Sequence, residues 1–388
     1  MMPLSGSRHR LTPFFFFRGP PVRRPGFRRQ RGYDDFGTMT DRPHKPTMRD
    51  VSRLAGVSRM TVSRVLAEPS LVAQETRDRV LKAVAQLRYV PDRVAGSLSS
   101  RRSGFVALVL PTLMNTNFAD TAQAINEALR EADYQLLIGF TLYRSSEEVD
   151  CIRSLLTRRP EAIIITGGVH SREANALLLE SGVPVVEMWD LPERPIDYAV
   201  GFSNFEVGRA AARHLAGLGH RRIGAIGPAA GGEARDFRGE DRLEGFAAGL
   251  RECGLPDGLI IRNPDIPLSF TEGAQSISRL LDLAPDVEAV FAISDLQGVG
   301  ALLECQRRGI RVPEDLSIMG FGDFEIGRQC VPSLTTIRTD SRAIGRQVAE
   351  IILNALAGQD GRETPRPDAL RDIGFTVVSR GSTRTRTP

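Results

Sequence analysis

From Gly104 onward the chain alternates short unbroken apolar runs with amphipathic helical stretches, and that rhythm restricts its fold more than any other feature. Phe105–Leu110 (FVALVL), Gln135–Phe140, Ala162–Thr166 and the runs 184–187, 223–226, 289–293 and 316–320 read as strands. Helices are expected between them, near 119–132, 147–158, 205–218, 243–253, 272–283 and 297–308. Strands apolar on both faces, separated by helices, belong to parallel sheets covered on both sides. This many strands calls for two such sheets, and sheets of this kind bind ligands beyond the carboxyl ends of their strands. The loops there are polar: 112–117, 141–144, Ser203-Asn204, 236–242 and Ser294-Asp295. One polar loop is merely an exposed loop. Several at one sheet edge, carrying amides, hydroxyls and Arg, outline a binding cleft.

Ahead of this core stands 47–66, TMRDVSRLAGVSRMTVSRVL. Gly56 can end one helix in a left-handed conformation, and the Ser58 side chain can cap the next. Val51, Leu54 and Ala55 form one apolar face, and Val62, Val65 and Leu66 repeat it. Ser58, Arg59, Thr61, Ser63 and Arg64 then point outward as hydrogen-bond donors. A helix-turn-helix with such a face fits the DNA major groove, although a basic helix can also be a solvated surface. A third amphipathic segment, Gln74–Leu87, is expected to turn Val80, Leu81, Val84 and Leu87 inward. After it Pro91 resets the chain, and Asp92 is placed to cap a short helix ending near Leu98. With Gly96 inside it, that helix is marginal by itself.

Charge divides the chain in the same place. Residues 1–102 hold 21 Lys+Arg against 8 Asp+Glu, whereas the remainder holds 30 against 39. The basic part suits a polyanion and the acidic part does not, so the core is expected to project away from DNA. No apolar run approaches the roughly 20 residues that span a bilayer, so no membrane partner is expected. Cys151, Cys253, Cys305 and Cys330 are scattered and the five His lack ligand spacing, so neither a disulfide framework nor a metal site is indicated, and no cofactor is implied. The scattered thiols suit a reducing cytoplasm. The first 45 residues combine ten Arg/Lys with a Phe run at 14–17 and have no periodicity. They read as a disordered basic tail (1–46), an over-extended start before Met39 or Met48, or a nonspecific DNA arm.

These motifs resemble the LacI/GalR repressors. The AGVS turn, TVSRVL helix, ETRDRV segment and YVPDRVAGSL stretch match that family's headpiece over 47–103. LPTLMNTNF, GHRRIGAIGP, RLEGF, VFAISD and VPEDLSIMGFGDFE match its effector core over 104–382. The resemblance implies an all-α helix-turn-helix headpiece (47–90), a hinge (91–103) and an α/β periplasmic-binding-protein-like core with two doubly wound parallel-sheet lobes. Lobe one would comprise 104–202 and about 336–360, and lobe two 203–335 and 361–382, with crossings near Ser203, Thr335 and after Gly358. Residues 383–388 would be a tail.

By the same resemblance Arg59, Met60 and Arg64 face bases or phosphates, while Thr47, Ser58, Thr61 and Ser63 fix the DNA backbone. Ala95 and Leu98 belong to the hinge helix, with Leu98 as a minor-groove wedge. Asp92 stands where the family commonly has Asn. Effector contacts carry over to Asn115, Phe118, Tyr143, Trp189, Arg242, Ser294 and Asp295. Trp189 could stack on a pyranose or carbon chain, or simply pack.

Gly322 stands where sugar-binding members commonly hold a ligand hydroxyl with Asp. Its lack of charge, together with Arg242 and with Arg235 or Arg238, points to an anionic effector. GFGDFEIGRQCVPSLTT is similar to the gluconate-repressor branch, which implies a sugar acid such as gluconate, with a neutral sugar or nucleoside as the alternative. The expected molecule is a cytoplasmic homodimeric repressor on a palindromic operator. The rivals are an extracytoplasmic sugar-binding protein and a sugar-acid enzyme. No nucleophile–base pair supports the enzyme, and 227–232 (GPAAGG) lacks the order of a dinucleotide loop.

Overall fold

The computed structural model describes residues 45–90, 103–264, 267–359 and 368–386. It divides into two compact units at Pro91/Asp92. The hinge residues Asp92, Ala95, Gly96 and Leu98 and the basic segment 1–44 lie outside the described residues.

In the first unit, α1 (Met48–Ala55) begins at Thr47, whose backbone N–H and hydroxyl both donate to Asp50 (2.9 and 2.6 Å). Gly56 at φ 66° ends it, and Ser58 caps α2 (Arg59–Ala67) by accepting from the Thr61 N–H at 3.1 Å. A 3-10 turn (Pro69–Leu71) leads to α3 (Gln74–Leu87). Val51, Ala55, Val62, Val65, Val80, Ala83 and Tyr89 form the core. Leu54 and Leu81, expected to face inward, are 47% and 46% exposed. Tyr89 supplies apolar area in that core instead, packed with Val84 and Leu87.

The second unit holds two six-stranded sheets. The first contains β1 (Phe105–Leu110), β2 (Gln135–Phe140), β3 (Ala162–Thr166), β4 (Val185–Met188), β5 (Tyr198–Gly201) and β11 (Leu370–Asp372), in the order 11-5-4-3-1-2. The second contains β6 (Ile223–Pro228), β7 (Ile260–Asn263), β8 (Ala289–Ala292), β9 (Ser317–Phe321), β10 (Thr335–Arg338) and β12 (Thr376–Val378), in the order 12-10-9-8-6-7. All pairings are parallel except β10–β12. The covering helices are α4 (Thr116–Glu131), α5 (Ser145–Leu156), α6 (Arg172–Leu179), α7 (Asn204–Gly217), α8 (Phe237–Glu252), α9 (Phe270–Leu283), α10 (Asp295–Arg307), α11 (Glu325–Gln329) and α12 (Ser341–Gln359).

The lobe boundaries need correction. β10 pairs with β9, so the chain leaves the second sheet after Arg338 rather than at Thr335. α12 then packs on α4, β4 and β5 of the first lobe. Residues 370–372 also belong to the first sheet, so the last crossing falls between Asp372 and Thr376 and not just after Gly358. The reason is pairing: β5 and β10 each have one open edge, and the segments 370–372 and 376–378 complete one each. Residues 383–386 are no loose tail either. Thr383 shares a hydroxyl hydrogen bond with Thr335 (2.8 Å), and the Arg386 N–H donates to the Leu218 carbonyl (2.7 Å).

Candidate functional site: the cleft and the recognition helix

α8 organises the cleft between the lobes. It starts two turns earlier than apolar periodicity suggests, because those turns carry Arg238, Glu240 and Arg242, which are polar yet buried. Asp236 caps it, accepting from the Gly239 N–H at 3.2 Å. Two glycines set its position against α7: a Cβ on Gly208 would sit 1.9 Å from the Arg242 carbonyl, and one on Gly245 1.9 Å from the Phe205 carbonyl. That close approach brings Arg242 against the first residue of α7, Asn204. The Arg242 guanidinium donates to the Asn204 side-chain oxygen, and the Asn204 amide donates to the Trp189 carbonyl (3.1 Å) and Asp190 (3.3 Å) of the first lobe. Arg242 is thereby tied to both lobes.

Its charge is only loosely balanced. Asp236 lies 4.0 Å from Arg242 and 3.8 Å from Arg238, and Asp190 also acts on Arg242, so neither buried guanidinium has a close carboxylate partner of its own. Among the described residues the Arg242 Nε has no hydrogen-bond partner, and burial lowers the guanidinium to about 10, which leaves it charged at neutral pH. Its face lies over the Phe321 ring at 4.4 Å, and Arg238 lies over Phe118 at 5.6 Å.

Two small cavities flank this pair. One, about 30 Å³, is lined by Thr112, Asn115, Tyr143, Arg242, Ser294 and Phe321, among others. The other, about 40 Å³, lies beside Thr141, Arg144, Gly168, Asp190, Arg235 and Arg238. Tyr143 lines both. It sits at φ 64°, its carbonyl accepts from the Arg235 N–H of the opposite lobe (2.8 Å), and burial pushes its phenol well above the usual range.

Of the seven residues expected to touch an effector, Asn115, Tyr143, Arg242 and Ser294 therefore meet at one cavity. The other three do not line it. Asp295 is fully buried and turned away, accepting from the Phe324 N–H (2.8 Å) and the Thr336 hydroxyl (2.7 Å); burial raises its carboxyl to about 7. It braces the loop after β9 instead of reaching the cleft. Trp189 is buried edge-on between Phe118 (5.4 Å) and Phe202 (5.8 Å), so both Trp189 and Phe118 pack behind the cavity and leave no ring face for a pyranose.

Gly322 also differs from its sequence reading. It lies at φ 127°, a Cβ there would sit 2.5 Å from the Phe324 ring, and its carbonyl accepts from Asn117 of the first lobe at 3.1 Å. Phe321, one residue earlier, is the residue of this loop that faces the cavity. Sequence reasoning marked the loops 112–117 and 236–242 without naming Thr112 or Asp236 as contacts, and it missed Phe321. The Asp-x-x-Gly cap signature could have singled out Asp236; nothing local marks Phe321.

In the first unit the recognition surface is presented as expected. Thr47, Ser58, Arg59, Met60, Ser63 and Arg64 are exposed and Thr61 is partly so, while Val62 and Val65 are buried beneath them. Met60 is 70% exposed, an apolar side chain offered to a partner from an otherwise polar face.

The comparisons with known proteins agree with both halves of this picture. Residues 47–92 match the bacterial regulatory proteins of the lacI family, and residues 212–383 match the periplasmic binding protein-like domain. The chain is 39% identical over 341 residues to the HTH-type transcriptional regulator GntR of Pseudomonas aeruginosa, covering 87% of this chain and 96% of that one. The structure of a LacI-family transcriptional regulator from Silicibacter pomeroyi superposes with a TM-score of 0.80 at 33% identity, over 88% of this chain and all of the other. The transcription regulator GntR of Chromobacterium violaceum gives 0.65 at 36% identity, over 72% and 99%. These relatives are named as regulators and none as an enzyme.

Proposed function

This chain belongs to the lacI family of bacterial regulatory proteins, and on that premise we propose how it works as a DNA-binding transcriptional regulator. It is a homodimeric repressor of a palindromic operator. α2 reads a half-site through Arg59, Met60 and Arg64, with Thr47, Ser58, Thr61 and Ser63 on the DNA backbone, and Ala95 and Leu98 act at the hinge. Its effector is a sugar acid such as gluconate, held in the cleft by Asn115, Tyr143, Arg242 and Ser294 together with Arg238.

The observation that carries the effector class is the pair of buried guanidinium groups beside Asp236. A carboxylate placed between them gains charge-assisted hydrogen bonds of about 1.5–3 kcal/mol each. A neutral sugar can accept from the same donors but brings no opposite charge to them. The missing side chain at Gly322 no longer supports this reading, because the Phe324 ring fills that space. Cavities of about 30 and 40 Å³ are far smaller than a sugar-acid site of roughly 300 Å³ or more, so binding must part the lobes around Tyr143 and Arg235. Effector binding is thereby coupled to lobe geometry, and through it to operator affinity.

Calorimetry with gluconate, a 2-keto sugar acid, a hexose and ribose tests the ligand, and heat is expected only from the acids. Hexose binding as tight as gluconate binding would refute it. Fluorescence anisotropy on operator DNA, with and without gluconate, tests the coupling; a titration that gluconate leaves unmoved removes gluconate and keeps the regulator.

A further inference from the structure

A larger opening lies elsewhere between the lobes, where the chain makes its last two crossings. It measures about 600 Å³, and its walls are the start of α4, the loop after β9, and the crossing segments 338–342 and 373–376. We propose that it is a second small-molecule site, distinct from the cleft, for a phosphate monoester of a sugar-sized metabolite. The proposal does not depend on the cleft's effector being a sugar acid.

Three features point there. First, Asp323 is almost wholly buried and is surrounded by three guanidinium groups: Arg380 donates to it, Arg328 lies 3.0 Å away and Arg338 3.9 Å away. Even with Asp295 close by, three guanidinium groups outnumber the carboxylates around Asp323. The positive charge is confined to this wall, while Asp120 and Asp340 line the rest of the opening and Arg342 is paired with Glu127. Arg338 makes the loosest of these contacts and is more than half exposed, so it can turn to a ligand at little cost.

Second, Thr339 on the adjoining crossing segment is buried, and its hydroxyl has no hydrogen-bond partner among the described residues. A buried unmet hydroxyl is costly, and a phosphate oxygen that accepted from it would relieve that cost. Third, the Asp340 carboxylate, the nearest acid to this hydroxyl along the chain, accepts from the Ala343 N–H at 2.8 Å and caps α12. Asp120 on the opposite wall faces the remainder of the opening, where sugar hydroxyls would donate to it.

The volume fits a phosphorylated monosaccharide, within the usual range of about 300–1,000 Å³ for small-molecule sites. Such a ligand touches α4 of the first lobe, the Asp323 loop of the second and both crossing segments. It would bridge the same lobes that Asn117 and Gly322 already join, and so bias their arrangement independently of the cleft.

The test is calorimetry on the full chain with glucose 6-phosphate, with glucose and sulfate as controls. The expected result is saturable binding of the ester alone, weakened at least tenfold in Arg338→Gln and severalfold in the near-isosteric Thr339→Val. Thermal melts of the variants should match the wild type, and their gluconate heats should equal whatever the wild type gives. Absence of binding, equal binding by sulfate, or undiminished binding in both variants would overturn the site. Failure of gluconate to bind the wild type would bear only on the cleft.

Discussion

The two lobes share one strand order, differing only in that the last strand is parallel in the first sheet and antiparallel in the second, yet they bring different chemistry to the cleft. Counted inward from the outer edge, each sheet runs second, first, third, fourth, fifth and then a late-arriving strand. The first lobe contributes loop backbone, the Tyr143 phenol and, behind the cavity, the rings of Phe118 and Trp189. The second contributes the buried guanidinium pair, Arg238 and Arg242, with Asp236 at the same helix end, while Arg144 and Asp190 of the first lobe line the neighbouring cavity. The order in which strands are wound therefore does not decide what a lobe recognises. Recognition comes from which helix begins at the cleft and how closely it approaches its neighbour.

Substitutions can break or sharpen that comparison. The largest effects belong to packing that the lobes share. Phe291 of the second sheet, stacked on Phe246 at 5.3 Å, and Ile164 of the first lie in a single apolar cluster spanning both lobes. Phe291→Ala should cost about 3–5 kcal/mol and Ile164→Ala about 2–5. Calorimetric melting should show each lowering the same core transition; two core transitions that respond separately would mean that the lobes fold as independent units.

Next, Arg242→Met should weaken effector binding by about 2–5 kcal/mol, since it removes a buried charged donor. Trp189→Leu, in the first lobe, should reduce it far less. A reversed order in calorimetry would return recognition to the aromatic lobe.

The first lobe also holds a buried histidine between two carboxylates. His170 lies between Glu148 (3.1 Å) and Glu187 (3.4 Å). Burial alone would lower its pKa, but the two glutamates outweigh that and raise it from 6.5 to about 9. A pKa raised on folding stabilises fully below about 6.5, and that stability is lost as pH rises through about 9. The melting-temperature advantage of wild type over His170→Gln should therefore hold at pH 6 and shrink by pH 10. An advantage that grows with pH would show that the imidazole is held neutral.

The smallest effect is in the headpiece. Leu81→Gln should change its stability by no more than about 0.5 kcal/mol in a thermal melt, because Leu81 is half exposed.

The alternation of buried strands and helices was readable because a strand covered on both faces must be apolar throughout. Tyr198–Gly201, Ile260–Asn263, Thr335–Arg338, Leu370–Asp372 and Thr376–Val378 escaped that reading. They are only three or four residues long, and the last two are partly exposed, so their pairing depends on partners far away in sequence. In the headpiece, caps and turns are local chemistry and were legible; the exposure of Leu54 and Leu81 was not, since period alone does not say which flank of an apolar face meets the core.

In the cleft, Arg242 and Ser294 line the small cavity the sequence reading pointed to, whereas Trp189 and Asp295 do not. Their residue types suit a ligand as well as they suit a core. Only the edge-on ring packing of Trp189 and the Thr336–Asp295 hydrogen bond distinguish the two.

The late-arriving strands also impose an order in time. Ser382 accepts from the Thr335 N–H and donates to the Ile318 carbonyl, while 370–372 and 376–378 close the two sheets a few residues apart. During synthesis both lobes therefore wait for the same short stretch of chain. The headpiece, whose core needs nothing beyond Tyr89, can be finished long before. A nascent chain would thus hold a folded DNA-reading surface well before it holds the body that regulates it.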